Sequence, residues 1–462
     1  MALHSQVSSA EDTLDLNPMY TLAGHAQVPR HRIPDGELNP ISAYRVVHDE
    51  LMLDGNARLN TATFVSTWME DQARLLMAEA VDKNMIDKDE YPQTAELERR
   101  CVNMLADLWH AQDREEAMGC STVGSSEAAM LAGLALKWRW RERMRKVGKP
   151  TDKPNMVTGA NVQICWEKFA RYWDIELRLV PMEADRRHLT ADEAAARCDE
   201  NTIGVVSVLG STFDGSYEPV AEIAAALDRL QQEKGLDVPL HVDGASGGFI
   251  APFLEPQLEW DFRIPRVQSI NASGHKYGLV YPGVGWAVWR DRTAVPEDLV
   301  FHVNYLGGDM PTFTLNFSRP GAQVVAQYYL FLRLGREGYR RVQQVSRDVA
   351  MYLADEVERA GPFVSLTRGA ELPVFAFTTR DDVEDFTVFD VSDTVRARGW
   401  QLPAYTMPPN LEDLAVLRVV VRNGMSRDMA DMLLEDIRRA VKHLERHGTP
   451  TPASEARVAY HH

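Results

Sequence analysis

Cysteine is scarce: four in 462 residues, Cys101, Cys120, Cys165 and Cys198, all far apart. None forms a C-x-x-C pair, so no zinc knuckle or dithiol redox centre is signalled, and reduced buried thiols are expected. The thirteen histidines show neither H-x-H nor H-E-x-x-H spacing, so no metal site is expected. There is no G-x-G-x-x-G after a strand and no G-x-x-x-x-G-K-[ST], so dinucleotide and P-loop readings lack support. No apolar run approaches the roughly 20 residues of a membrane span. No basic-then-apolar segment opens the chain, so no signal peptide is expected and a cytoplasmic setting is. No internal repeat is visible. Positive charge is also in deficit: 50 Lys and Arg against 67 Asp and Glu give a net charge of −17. That balance argues against a general nucleic-acid or anionic-membrane partner.

What is present is ordinary globular material, 45% hydrophobic and 25% charged. Residues 1–30 read as a polar arm. From about 95 the apolar spacing predicts helices at 95–110 and 125–147, the second capped by Ser125 and Ser126 and closed by bases. Strands at 155–160, 176–182, 202–210, 238–245, 267–273 and 284–290 then alternate with helices at 163–173, 190–198 and 219–235. Thr190 caps the second of these helices, and Pro219 and Gly235 bound the third. Such alternation predicts a mainly parallel sheet covered by helices on both faces. A long helix over 322–361 leads, past Gly361-Pro362, to a small α+β unit with strands at 373–379 and 417–423 and helices at 388–399 and 429–448.

In such sheets ligands sit at the carboxyl ends of the strands. Thr212, Asp243 and Lys276 all fall there. A lysine at a strand end with few water partners loses its charge cheaply, and the neutral amine attacks carbonyls. Pyridoxal 5'-phosphate is the cofactor that uses such a lysine, and it needs a carboxylate for its ring nitrogen and a cradle for its phosphate. Asp243, in "HVDGASGG" and 33 residues before Lys276, supplies the first. "TVGSSEAAM" (122–130) supplies the second, because a helix start offers free N–H groups and the positive end of its dipole. Ser273 and His275 flank the lysine in "NASGHKYGLV" and add hydroxyl and imidazole donors. The plainer readings, a turn cap for Asp243 and an ordinary helix start at 125, weaken because all these features occur together.

These motifs, with "DGNARLNTATFVSTWM", "KNMIDKDEYPQTAELERRCVNMLADLWH", "VQICWEKFARYWDIELR" and "NYLGGDMPTFTLNFSRPG", resemble bacterial glutamate decarboxylases, members of the pyridoxal-phosphate group II decarboxylases. The resemblance spans about residues 35–445. It implies an aspartate-aminotransferase-like α/β fold (PLP fold type I): a large domain with a mainly parallel seven-stranded sheet and a small C-terminal α+β domain. The division it suggests is an arm over 1–58, a large domain over 59–346 and a small domain over 347–462.

The resemblance implies decarboxylation of L-glutamate to 4-aminobutyrate and CO2 through a quinonoid intermediate. Lys276 would carry the cofactor and Asp243 its ring nitrogen. Ser125, Ser126, Ser273 and His275 would hold the phosphate, with Ser318 reaching in from a second subunit. Gln163 and Ala245 would cover the two ring faces, and Thr212 would sit near the ring hydroxyl. Thr63, Phe64, Asn84 and Asp87 would receive the distal carboxylate of the substrate across a dimer interface. Arg422 would orient the α-carboxylate region, and Tyr305 would help to protonate the product carbon. A homodimer is implied, and a hexamer is the larger assembly the family suggests. A C-terminal histidine, His461 or His462, would close the site as pH rises, with a plain mobile end as the alternative. No calmodulin-binding segment of the plant type is present.

One feature of the pocket that the resemblance implies makes independent physical sense. Asp87 facing a substrate carboxylate is a like-charge pair unless the two share a proton, so an acid-favoured activity is expected. The sequence departs from the family pattern at Gly244, where alanine is usual, and at Asp214, which adds a negative charge near Thr212. The rival readings are a decarboxylase of aspartate, cysteine sulfinate or an aromatic amino acid on the same fold, and a catalytically silent scaffold.

Overall fold

The structure is a computed structural model that describes residues 30–112, 115–304 and 310–448. It divides into two compact units between Asn60 and Thr61. The first contains a helix, Pro40–Leu51, started by Pro40 and by Asn39, whose side chain accepts the Ile41 N–H at 2.9 Å.

The second unit is built on seven strands: β1 (Gly119–Thr122), β2 (Asn155–Gly159), β3 (Glu176–Val180), β4 (Thr202–Val208), β5 (Leu240–Asp243), β6 (Val267–Ala272) and β7 (Gly285–Trp289). Their order across the sheet is β1-β7-β6-β5-β4-β2-β3. The five from β3 to β6 run parallel, while β7 and β1 pair antiparallel at one edge. Every residue of β4 is buried, as a β-branched run inside a doubly covered sheet should be. Val205 packs into one apolar layer, Val206 and Val208 into the other. The predicted strands and helices of this region are all present, trimmed at their ends except that the helix expected over 95–110 runs over Pro92–Leu108.

A short hairpin, β8 (Phe301–Val303) with β9 (Met310–Thr312), follows. Beyond it a second sheet forms from β10 (Phe363–Ser365), β11 (Val374–Thr379), β12 (Ala404–Thr406) and β13 (Ala415–Val420), all antiparallel in the order β10-β11-β13-β12. Helices Val388–Arg396 and Arg427–His447 belong to this part. It is the small C-terminal unit that the sequence predicts.

Three expectations need correction. Ser125 and Ser126 do not cap the helix Ser125–Lys146: Gly124 holds the N-cap position, and the serines are its first two helical residues. Their hydroxyls are therefore left for other partners. Thr190 stands at the N-cap of Ala191–Ala196 without a side-chain bond. The long helix Ala322–Arg359 breaks at Gly335, whose φ of 57° and ψ of −173° leave the helical region, a conformation glycine adopts without steric cost.

Candidate active site

The functional side chains gather where β4, β5 and β6 end, on three neighbouring strands. Asp243 is the last residue of β5. Thr212 and Lys276 lie in the loops that follow β4 and β6.

Asp243 is buried and held by neutral donors. Its Oδ2 accepts the Trp166 indole N–H at 2.7 Å; its Oδ1 accepts the Asn271 amide at 3.0 Å and the Ala245 backbone N–H at 3.1 Å. Behind it runs a fixed chain of bonds. The side-chain Oδ1 of Asn271 lies 2.7 Å from His241 Nε2, and His241 Nδ1 lies 2.7 Å from Ser269 Oγ. Because Asn271 gives its amide to Asp243, its oxygen must accept, so His241 carries its proton on Nε2 and takes the serine hydroxyl on Nδ1. Burial lowers the pKa of His241 and keeps it neutral in that role.

Lys276 is partly buried. Its Nζ donates to Ser246 Oγ at 3.3 Å and lies 5.1 Å from the centre of the Phe64 ring. Burial lowers its pKa, against the opposing pull of Asp243. The amine is thereby readied for attack on a carbonyl. The adjacent His275 is pushed down to about 4, first by burial and then by the lysine charge, and its Nδ1 accepts the Gly283 N–H at 3.4 Å.

At the start of the helix Ser125–Lys146, Ser273 Oγ donates to Ser125 Oγ at 2.7 Å. Ser126 stands beside the buried Cys165, whose thiol pKa burial pushes up. Gly124 leaves the space beside His275: a Cβ there would meet His275 Cε1 at 3.0 Å. Glu127 holds the turn from below, accepting the Val123 N–H at 2.8 Å and the Asn316 N–H at 3.0 Å. Gln163 caps the helix Ile164–Tyr172, its Oε1 accepting the Cys165 N–H at 2.6 Å.

The segment from Thr61 to Trp68 is laced between the Lys276 loop and the small sheet. Ser66 donates its N–H to the His275 carbonyl at 2.8 Å and its hydroxyl to the Lys276 carbonyl at 3.0 Å. Arg422, buried, donates to the Val65 carbonyl at 2.9 Å and to Thr67 Oγ1 at 2.8 Å. Phe64 is thus brought to Lys276, and Thr63, its neighbour in the chain, accepts the Val65 N–H at 3.1 Å.

Asn84, Asp87 and Ser318 form a second group, bonded to one another and to their neighbours. The Asn84 amide donates to Ser318 Oγ at 3.3 Å, its oxygen accepts the Arg319 N–H at 3.0 Å, and the Asp87 N–H reaches the Asn84 carbonyl at 3.2 Å. Tyr305, His461 and His462 lie outside the described residues. Asp214 does not stand as a bare charge near Thr212: it accepts from Ser216 Oγ at 2.7 Å and sits 3.4 Å from Arg187 Nε.

The chain matches the family model described as pyridoxal-dependent decarboxylase conserved domain over residues 34–380. It belongs to the pyridoxal-dependent decarboxylase family. It is 58% identical to the glutamate decarboxylase of Aliivibrio fischeri over 97% of this chain and 96% of that protein. It is 51% identical to that of Petunia hybrida over 90% of this chain and 84% of the relative. Among solved structures, the glutamate decarboxylase of Lactobacillus brevis superposes with a TM-score of 0.89 at 46% identity, covering 91% of this chain and 96% of that one. A sphingosine-1-phosphate lyase of Burkholderia pseudomallei, 23% identical with a TM-score of 0.76 over 90% of this chain and 94% of the other, shares the fold.

The residues present fit pyridoxal phosphate. An amine whose pKa burial lowers, a carboxylate pinned by three donors and a glycine cradle at a helix start are the three things that the cofactor requires. Sequence reasoning missed Trp166, Asn271, His241 and Ser269, all of which act through Asp243. It also took the chain to hold no G-x-S-x-G elbow, whereas the letters stand at Gly244–Gly248. That pattern belongs to nucleophile elbows, but Ser246 here takes a hydrogen bond from Lys276, and no histidine bonds it among the described residues.

Proposed function

We propose that this chain is a pyridoxal 5'-phosphate-dependent carboxy-lyase that converts L-glutamate to 4-aminobutyrate and CO2. What carries the reading is one conjunction: near full-length identity of 58% to a glutamate decarboxylase, in a chain whose Lys276 and Asp243 come together at adjacent strand ends.

The cofactor, when bound, supplies an electron sink for the pair released as the carboxylate leaves as CO2. Lys276 would bind its aldehyde and later carry a proton, roles that suit an amine whose pKa burial lowers. Asp243 would hold the ring nitrogen in its protonated form; with three donors on its oxygens it stays an acceptor. Ser125, Ser126, Ser273 and His275 would hold the phosphate, and Gln163, Ala245 and Thr212 would line the ring. Thr63, Phe64, Asn84 and Asp87 would take the distal carboxylate, Arg422 the α-carboxylate side, and Tyr305 the protonation of the product. Shutting water out of this region favours CO2 loss, because charge is stabilised by fixed dipoles instead of reorganising solvent.

Two finer statements belong to the same proposal. The active unit is a homodimer, in which Asn84, Asp87 and Ser318 of one chain serve Lys276 of the other, and the setting is cytoplasmic. Activity rises in acid, because Asp87 and the substrate carboxylate bind better when they share a proton and because the reaction consumes one. The test is product analysis with glutamate, aspartate, cysteine sulfinate and an aromatic amino acid between pH 4 and 8. The expected result is 4-aminobutyrate from glutamate alone, with kcat/KM highest at the acid end. A preference for another substrate overturns the assignment; a flat kcat/KM overturns the proton-sharing pocket.

A further inference from the structure

Arg418 is a shielded cation for which the roles above have no use. It lies on β13, in the small sheet, yet its guanidinium reaches into the active site. Its Nη1 donates to the Thr212 carbonyl at 2.6 Å and its Nη2 to the Ala62 carbonyl at 2.7 Å. Its Nε is shut off from solvent and has no hydrogen-bond partner among the described residues. Its nearest titratable neighbours among the described residues are two tyrosines, Tyr405 and Tyr277, which burial keeps neutral. The guanidinium lies 4.9 Å from the centre of the Phe64 ring and 5.5 Å from that of Tyr405. The same Phe64 ring lies 5.1 Å from Lys276 Nζ.

A surface arginine would be unremarkable, but a half-buried guanidinium with its Nε shut off from solvent and no carboxylate paired with it among the described residues is costly and calls for a use. Arg418 ties together three parts of the chain that no regular element joins: β13, the loop after β4 through Thr212, and the segment 61–68 through Ala62. That segment carries Thr63 and Phe64. A planar fork with two parallel donors can reach both carbonyls at once; an ammonium on a flexible stem holds them less rigidly. The titratable and charged groups that face Lys276 are Asp243 at the end of β5, the neutral Cys165 thiol from the helix Ile164–Tyr172, the neighbouring neutral His275, and Arg418. Of these, Arg418 is the fixed cation, and its charge opposes the pull of Asp243.

We propose that Arg418 is a positioning residue for this decarboxylation: it fastens the Ala62–Phe64 segment to the Thr212 loop, holding the substrate pocket against Lys276, and places a permanent positive charge beside that lysine. A fixed cation disfavours a second one nearby, so Arg418 also helps to keep the lysine nitrogen unprotonated.

The proposal rests on the glutamate reading, and its test separates the two. Holoenzyme carrying Arg418→Met or Arg418→Lys is compared with wild type for kcat, for KM with glutamate, and for the pH at which the visible absorbance of the lysine-bound cofactor changes. In R418M, loss of both charge-assisted bonds should raise KM about 10- to 100-fold. With the cation gone, the spectral midpoint should move upward by about 1 pH unit. In R418K the midpoint should return to within about 0.3 unit of wild type, because the charge remains. KM in R418K should stay raised, because the fork is lost. A wild-type KM in either variant overturns the tether, and an unmoved midpoint in R418M overturns the electrostatic part. Should R418M fail to fold, KM in R418K decides the tether. Wild type that forms no 4-aminobutyrate would instead refute the activity itself.

Discussion

The two halves of the candidate site are built on different scaffolds. Lys276, Asp243 and Thr212 stand at the ends of adjacent buried strands, and Asp243 is fixed by three hydrogen bonds backed by His241 and Ser269. Asn84 and Asp87 lie in an irregular stretch before the helix Pro92–Leu108, and Ser318 is exposed on the stretch before Ala322–Arg359. The bonds of this second group run mainly to each other. On the proposed reading the difference separates chemistry from choice. Lys276 and Asp243 would work from a rigid frame supplied by the sheet. Asn84 and Asp87 would select the substrate from an irregular segment, where side chains can change without disturbing the core, and Ser318, presented from another such segment, would reach the cofactor phosphate.

The largest expected effect breaks the first half. Lys276→Ala should lower kcat by more than about 10³-fold while the protein still binds the cofactor non-covalently, read by turnover and by loss of the lysine-bound absorbance. Near-normal turnover would remove the lysine from the chemistry. Next comes a test of whether the halves meet within one chain or between two. Lys276→Ala and Asp87→Ala, each nearly inactive alone, should regain about a quarter of wild-type activity when mixed and allowed to exchange subunits, since half the dimers are mixed and each has one intact site. No recovery despite proven exchange would mean that each chain completes its own pocket.

The first half was legible in the sequence and the second much less so. A buried parallel strand is an uninterrupted apolar run, so β4, β5 and β6 and the residues just after them could be placed from pattern alone. Asp243 and Lys276 followed. Asn84, Asp87 and Ser318 sit in segments without periodicity, and only family resemblance drew attention to them. The strands β1, β10 and β12 were missed because runs of three or four residues carry too little alternation to register. Trp166, His241 and Asn271 escaped for another reason. Each reads as ordinary core in its own element, and their joint action on Asp243 exists only once β5, β6 and the helix Ile164–Tyr172 are packed together. Arg418 escaped likewise: one basic residue in an apolar strand gives no hint that its target is a pair of carbonyls from elsewhere in the chain.

Trp166→Phe sharpens the comparison by touching the rigid half gently. Phenylalanine keeps an aromatic ring beside His241 and Phe169, whose rings lie 5.1 Å and 5.9 Å from that of Trp166. It removes one of the three donors to Asp243. A hydrogen bond to a charged group contributes about 1.5–3 kcal/mol, so kcat should fall about 10- to 100-fold with KM for glutamate little changed. A rise in KM with kcat intact would mean that Trp166 shapes the pocket and not the carboxylate.

The smallest effect is expected at Gly244, next to Asp243. A Cβ there would meet the Asn271 carbonyl oxygen at 3.1 Å and the Gly248 backbone at 3.3 Å. Its φ is not in the left-handed region, so alanine meets crowding and not backbone strain. Asn271 must move a few tenths of an ångström, and its amide is one of the donors to Asp243. Gly244→Ala should therefore cost about 1 kcal/mol, lower Tm by about 3 °C or less, and change kcat by no more than about threefold. A loss as large as that of Trp166→Phe would show that the Asn271 bond tolerates no displacement, and that the rigidity of this half extends to the backbone itself.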